Sequence, residues 1–276
     1  MTKIKTRKRA KIRLIVFLIL AGLLVSFGIF APLLTPNDPD ATSAANMNKA
    51  PSAEFPLGTD RYGRCICSRV MMGARTSIFS AVALVGITFL FGTALGMLAG
   101  YCGGFTDTVV MRLADVLLAF PQMVLAIAVA GILGGGMFNA MLALGITGWT
   151  GYARLARAKV LSLKEEAYVN AARLSGCSTA SIMSRTLLPN LLGPLVVNAS
   201  TQIGSMMIGI AGLSFLGIGV MEPQAEWGSM ISGMRAYIQL APWAVLAPAF
   251  ATILTVMVFN YLGDCVRDVL DVEAEK

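Results

Sequence analysis

The sequence predicts an all-α integral membrane protein with six transmembrane helices and both termini in the cytoplasm. Three observations predict it. Only 13% of the 276 residues are charged and 56% are hydrophobic, whereas soluble domains carry about 25% charged residues. The apolar residues come in blocks of about bilayer length rather than alternating over short segments, which points to helices and away from a transmembrane barrel. The net charge of +7 is concentrated at the start: Lys3, Lys5, Arg7, Lys8, Arg9, Lys11 and Arg13 precede the first apolar run with no acidic residue among them. A basic flank of this kind stays on the cytoplasmic side of a span. A nucleic-acid-binding arm fits less well, because lipid-like sequence follows directly.

Residues 1–13 are therefore a cytoplasmic N-terminus and 14–34 the first span. Leu14–Leu34 is longer than the 7–15 residues of a signal peptide's apolar region. It lacks a small-x-small cleavage site and ends in Pro32 and Pro36, so it reads as a retained anchor. Residues 35–77 form an extracytoplasmic loop. Residues 78–262 hold five further spans, at about Ile78–Gly100, Val109–Leu133, Phe138–Leu155, Leu191–Leu213 and Ala241–Leu262. A cytoplasmic loop, 156–190, separates the fourth span from the fifth, and 263–276 is a cytoplasmic tail. The arginines and lysines between Arg154 and Arg185 agree with this orientation, as does Arg235 standing alone in Met221–Leu240. The first loop, with Lys49, Arg61, Arg64, Arg69 and Arg75, is an exception to the rule.

Within the second span, Gly92, Gly96 and Gly100 repeat the GxxxG spacing that lets a second backbone approach closely. Near the third, Arg112 and Asp115 stand three apart and are expected to pair on one helical face, and Pro121 predicts a kink. The fifth starts with Pro189 and Pro194 and ends with Gly212, Gly217 and Gly219. Breakers at both ends predict a bent or discontinuous element. Irregular backbone at membrane depth is tolerated where protein buries it or water reaches it. Gly212, Ser214, Phe215, Gly217 and Gly219 are accordingly candidates for a pathway or gate.

The cytoplasmic loop contains KEEAYVNAARLSG, Lys164–Gly176, a polar segment in an apolar chain. Ser162 and Glu165 have the spacing of a capping box, Glu165 and Glu166 suit a helix N-terminus, and Gly176 suits a left-handed C-cap. A helix over 163–175 is expected. Tyr168, Ala171, Ala172 and Ser175 fall on one side of it, a small face with one aromatic anchor. So short a helix is marginal alone, and its apolar side is weak for membrane binding. It reads as a docking helix for another protein.

Chemistry is sparse. The chain has five cysteines and no histidine, which removes the usual base of acid–base and triad catalysis. Cys65 and Cys67 are poorly spaced for a disulfide, and no spacing suggests zinc. The phosphate-cradling Gly-x-x-x-x-Gly-Lys-Ser/Thr loop is absent. No catalytic residue, metal site or cofactor is expected.

These segments resemble the permease subunits of bacterial ABC importers, specifically the dipeptide/oligopeptide/nickel branch. The family signature is EAA, three residues, Gly, nine residues, then Ile-x-Leu-Pro. Here Asn170-Ala171-Ala172, Gly176 and Thr186-Leu187-Leu188-Pro189 match it, with asparagine for the glutamate and threonine for the isoleucine; Glu166 lies nearby. LGTDRYGR (Leu57–Arg64), SRVMMGARTS (Ser68–Ser77), DTVVMRLADVLLAFP (Asp107–Pro121), LSFLGIGVMEPQAEWGSMI (Leu213–Ile231) and GDCVRDVLD (Gly263–Asp271) resemble further blocks of the branch, in order along nearly the whole chain.

The resemblance implies a type I ABC importer permease fold. It implies two cytoplasmic ATPase subunits that bind and hydrolyse Mg-ATP, a second related permease subunit, and an extracytoplasmic solute-binding protein. Glu165, Glu166, Tyr168, Ala171, Ala172, Gly176, Leu188 and Pro189 would couple to the ATPase. Glu226 and Trp227 would face the binding protein, although anchoring at the membrane interface explains them as well. The solute would be a peptide, nickel or a metal–metallophore complex. A self-contained secondary transporter or channel is the alternative, but the internal repeats and midplane charges common in that class are not evident.

Overall fold

The computed structural model describes the backbone of residues 2–274 and the side chains of residues 9–270. The side chains of Lys3, Lys5, Arg7 and Lys8 in the basic block, and those of the tail from 271 on, lie outside the described residues. Helix α1 covers Thr2–Leu34, α2 Ile66–Cys102, α3 Gly104–Leu118, α4 Gln122–Leu133, α5 Met137–Leu163 and α6 Ala167–Leu174. A single turn, α7 (Thr179–Ser181), and a π-helical stretch at Ile182–Leu187 lead into α8, Leu188–Phe215. Helices α9 (Trp227–Met234) and α10 (Trp243–Ala274) complete the chain. Among the described residues there is no strand, only an isolated bridge between Thr59 and Cys65.

Four helical stretches are long and apolar enough to cross a membrane: Arg9–Leu34, Ile66–Cys102, Thr179–Phe215 and Trp243–Leu270. Helices α3 and α4 together make a fifth, bent by 89°. The bend falls at Phe120–Pro121, where Pro121 cannot donate a backbone hydrogen bond, so the expected kink is a sharp break. The expected fourth span lies in α5, which at 27 residues is long enough. Its glycines, threonines and arginines make it less apolar than the others. Among the described residues, four or five stretches are thus long and apolar enough to cross, against the six expected.

Two other boundaries differ from expectation. Helix α2 begins at Ile66, so its first three turns occupy residues placed in the first loop. The fifth element, expected to be bent or discontinuous, runs without a break from Leu188 to Phe215. Pro189 sits in its first turn, where no intrahelical partner for an N–H is required, and Pro194 is accommodated two turns in.

The tightest seam joins α2 to α5. A Cβ added at Gly92 or Gly96 would collide with the carbonyl of Trp149 or Ala153, and one at Gly100 would lie 3.0 Å from the Arg157 carbonyl. The glycine repeat thus runs along residues 149, 153 and 157, one turn apart, as close-packing glycines do. One core joins Ile78, Leu84, Leu144, Met206, Ile210 and Phe259 across α2, α5, α8 and α10. A second, at the other end of the bundle, joins Met97, Tyr152 and Val160 to Val169, Ile182 and Leu191. It is this second core that positions the polar segment.

Candidate coupling surface

Helix α5 runs through Ser162 to Leu163, whose side chain packs on the second core. The expected capping box therefore does not form: Ser162 belongs to the last turn of α5, and the N-cap of α6 is Glu166, with no side-chain cap bond. The Glu166 carbonyl instead accepts from the N–H groups of Val169 (3.0 Å) and Asn170 (3.1 Å). The Asn170 amide, at the place of the signature glutamate, donates to the Glu165 carbonyl at 3.1 Å. Glu165 and Glu166 are both exposed.

The far end closes as expected. Gly176 has φ +76°. Its N–H donates to the Arg173 carbonyl and the Cys177 N–H to the Ala172 carbonyl, both at 3.1 Å. This pair of bonds is the Schellman arrangement, which requires a left-handed residue at the glycine.

Helix α6 has an anchored and a free side. Val169 is fully buried and Ala172 packs beside it on the second core. Arg173 lies over the Tyr101 ring of α2, 5.8 Å from its centroid. The other side carries Tyr168, 43% exposed, Ala171, Ser175 and Leu174, 90% exposed. The sequence placed Ala172 on the free face and missed Leu174. Because i, i+3 and i+6 share a broad face, Leu174 could have been found by extending the Tyr168–Ala171 spacing one step. Leu188 is half-buried on the second core and Pro189 exposed, so the signature's end anchors α8 beneath α6.

The polar segment hangs from α5, and α5 is pinned to α3 by two ion pairs. Arg157 holds Asp107 through two nitrogens, Nη2–Oδ2 being 2.6 Å. Arg154 Nη2 lies 2.6 Å from Asp115 Oδ1. The expected Arg112–Asp115 pair is not made; a cation from the neighbouring helix takes Asp115 instead, and Arg112 is exposed.

The stretch proposed as pathway or gate is a helix end. Gly217, φ +82°, closes α8 with the bond pattern of Gly176: its N–H reaches the Ser214 carbonyl and the Ile218 N–H the Leu213 carbonyl. The buried Ser214 hydroxyl accepts from the Val220 N–H at 3.0 Å. Gly219 packs on Ser214, and its carbonyl accepts from the Gly136 N–H at 2.8 Å. Gly212 leaves room for Met123, and Arg235 lies over the partly exposed Phe215 ring.

Glu226 and Trp227 are buried within the chain rather than presented on its surface, at 1% and 3% exposure. Glu226 caps α9, accepting from the N–H groups of Gly228 (2.9 Å) and Ser229 (2.7 Å). The Trp227 indole donates to the Val70 carbonyl at 2.9 Å, in a slot that Gly73 keeps open.

Three arginines of the basic first loop, an exception by charge counting, are paired with carboxylates inside the chain. Arg64 pairs with Asp60 (2.7 Å) and Glu222 (3.3 Å), Arg69 with Asp40 (3.0 Å), and Arg61 with Glu222 (3.5 Å). Arg69 also donates to the carbonyls of Pro39 and Pro223, tying the first loop to the 221–226 turn. Single-span counting missed this network because its acids lie in two distant loops. Among the described residues the cysteines are free, and no group of three or more His, Cys, Asp or Glu could hold a metal.

Residues 92–274 match the family model described as "Binding-protein-dependent transport system inner membrane component". The chain is 41% identical over 267 residues to a dipeptide transport system permease protein of Alkalihalophilus pseudofirmus, covering 97% of this chain and 88% of that protein. It is 38% identical to a nickel transport system permease protein of Escherichia coli K12, with 92% of each chain covered. Among solved structures it resembles an inward-facing MetNI methionine ABC transporter chain with TM-score 0.53 and 18% identity, over 71% of this chain and 94% of that one. The last likeness speaks to fold alone.

Proposed function

The chain belongs to the family of binding-protein-dependent transport system inner membrane components, and from that premise we propose that α6 is the point where ATP-driven motion enters the protein. The chain is a multi-pass permease subunit of a bacterial ABC importer of the peptide and nickel type, in the inner membrane. On our reading it crosses six times, α5 included, with both termini in the cytoplasm. Helix α6 then docks into a cytoplasmic ATPase subunit that binds and hydrolyses Mg-ATP. A second, related permease completes the solute pathway, and a solute-binding protein docks on the side of residues 35–65. The solute is a peptide, nickel or a metal–metallophore complex.

One observation carries this reading: α6 is held to the membrane bundle by a buried side while Tyr168, Ala171 and Leu174 stand free. A helix of eight residues with an exposed leucine and tyrosine has more to gain from a partner than from water. Displacement of α6 would pass through Val169 and Val160 into α5 and, through the ion pairs, into α3. Closed packing transmits such shifts with little loss.

The test is single-cysteine substitution at Tyr168 and Leu174, with native cysteines removed, in cells making the whole transporter. Both positions should crosslink to the ATPase subunit and stay unlabelled by an impermeant reagent added outside. Leu174→Asp should lower uptake by roughly 30-fold, the equivalent of about 2 kcal/mol of docking energy, with insertion unchanged. Labelling from outside would overturn the orientation; wild-type uptake in a correctly inserted Leu174→Asp would overturn the docking role.

A further inference from the structure

The basic residues at the α2 end of the first loop fall into two groups. Arg61, Arg64 and Arg69 each have a carboxylate. Arg75, further along α2, is exposed and has no ion pair among the described residues. It opens into a cleft of about 720 Å³ between α1, α2 and the start of α5. The cleft's other charged group, Asp40, is already held by Arg69 at 3.0 Å. Arg75 is therefore the charged group of the lining with no ion pair among the described residues, and Thr76 and Gln224 are its neutral polar neighbours.

The rest of the lining is largely apolar: Ile29 from α1, Met72 and Phe79 from α2, and Met137 from α5. Gly28 lets α1 close on α2 here, since a Cβ would lie 3.2 Å from the Phe79 ring. The α1 wall belongs to a span only 17% buried in the molecule, and Ile29 itself is 53% exposed. An apolar span with so little cover from its own chain is open to lipid.

Depth can be read from helix length. The 37 residues of α2 span about 55 Å, at about 1.5 Å each, against a hydrocarbon core of about 30 Å. If α2 is centred, about 12 Å projects at each end. Arg75, the tenth residue of α2, then lies at the boundary between headgroups and acyl chains.

We propose that this cleft is a phospholipid site: the guanidinium of Arg75 holds the lipid phosphodiester, and an acyl chain lies along Ile29, Met72 and Phe79. An arginine fork matches phosphate oxygens and stays charged near lipid. Apolar walls beside the cation suit an amphiphile, whereas a soluble anion would leave them wet. The site rests on membrane insertion alone and not on which subunit drives transport.

The test uses the full chain, extracted with the subunits that co-purify with it and delipidated in detergent. Binding of phosphatidylglycerol, phosphatidylethanolamine and glycerol 3-phosphate is followed by native mass spectrometry. The wild type should retain both phospholipids, Arg75→Gln should bind them about tenfold more weakly, and Arg75→Lys should recover part of the loss. Ile29→Trp, which fills the apolar wall without touching the charge, should also weaken retention, and it carries the test if Arg75→Gln unfolds. Equal lipid retention by the wild type and these variants would overturn the proposal. So would glycerol 3-phosphate binding as well as the lipids, which would mark a soluble-anion site. A crosslink from position 75 to a partner subunit would assign the cleft to a protein interface instead.

Discussion

Arg157 on α5 grips both carboxylate oxygens of Asp107 on α3. The contact joins the first turn of α3 to the last turns of α5, two turns before the polar segment begins. A bidentate guanidinium–carboxylate pair fixes orientation as well as distance. It therefore ties the level of α3 to the helix from which α6 hangs.

Breaking that pair should loosen the tie more than the fold. Asp107→Asn is expected to cost about 1 kcal/mol, because the site is partly open to solvent and screening limits the gain. Thermal unfolding in detergent should show a small drop. Uptake should fall further than stability does, and the swap Asp107→Arg with Arg157→Asp should restore part of it. A double change that costs the sum of the two single changes would mean the two side chains act independently.

The α2–α5 seam gives a sharper contrast. Gly96→Ala would push a methyl into the Ala153 carbonyl, while Gly86→Ala, on the same helix, meets nothing within 4 Å. Overpacking against backbone costs about 1–3 kcal/mol or more, whereas alanine at an open helical site is favourable by several tenths. Gly96→Ala should lower the melting temperature and the yield of inserted protein; Gly86→Ala should leave both unchanged or raise them.

What the sequence disclosed and what it withheld divide along physical lines. The glycine spacing disclosed the seam, because only glycine permits backbone contact at one-turn intervals. Gly176 disclosed its cap, because a positive φ excludes most other residues. The partners of ionised groups stayed hidden. Arg112 and Arg154 could both reach Asp115, and helix spacing favoured the first while tertiary packing chose the second. The capping box at Ser162 failed for the same reason: packing of Leu163 on the second core carried α5 through a local start signal. Glu226 looked like a surface acid because charge normally means exposure, yet two backbone N–H groups and the Ser77 hydroxyl surround it. On α6 the spacing found Tyr168 and Ala171 but not the side on which Ala172 lies, since that depends on where α5 leaves the chain.

Gly176 allows a local test of the segment proposed to couple. At φ +76° a side chain costs about 1–2 kcal/mol, while open space around it means no steric clash. Gly176→Ala should thus fray α6 without disturbing the bundle. Hydrogen exchange at Ala172 through Cys177 should speed up by roughly tenfold or more, with exchange in α2 unchanged. Slow exchange throughout the variant would show that contacts other than the cap hold the segment.

Glu226 allows the last test, of the join between α2 and α9. Its carboxylate accepts from the Gly228 and Ser229 N–H groups and lies 3.3 Å from the Ser77 hydroxyl. The two N–H groups go to different oxygens, so Glu226→Gln can satisfy one and turns an NH2 group toward the other. A buried donor left facing a donor costs about 1–3 kcal/mol, and loss of an N-cap about 1 kcal/mol. Glu226→Gln should therefore be clearly destabilised in thermal unfolding, and Glu226→Asp, which keeps the charge on a shorter arm, less so. Exchange should rise first at Gly228 and Ser229, because those amides donate directly to the Glu226 carboxylate. If Glu226→Gln melted like the wild type, the capping bonds would be dispensable, and packing of Trp227 beside Gly73 would hold α9 by itself.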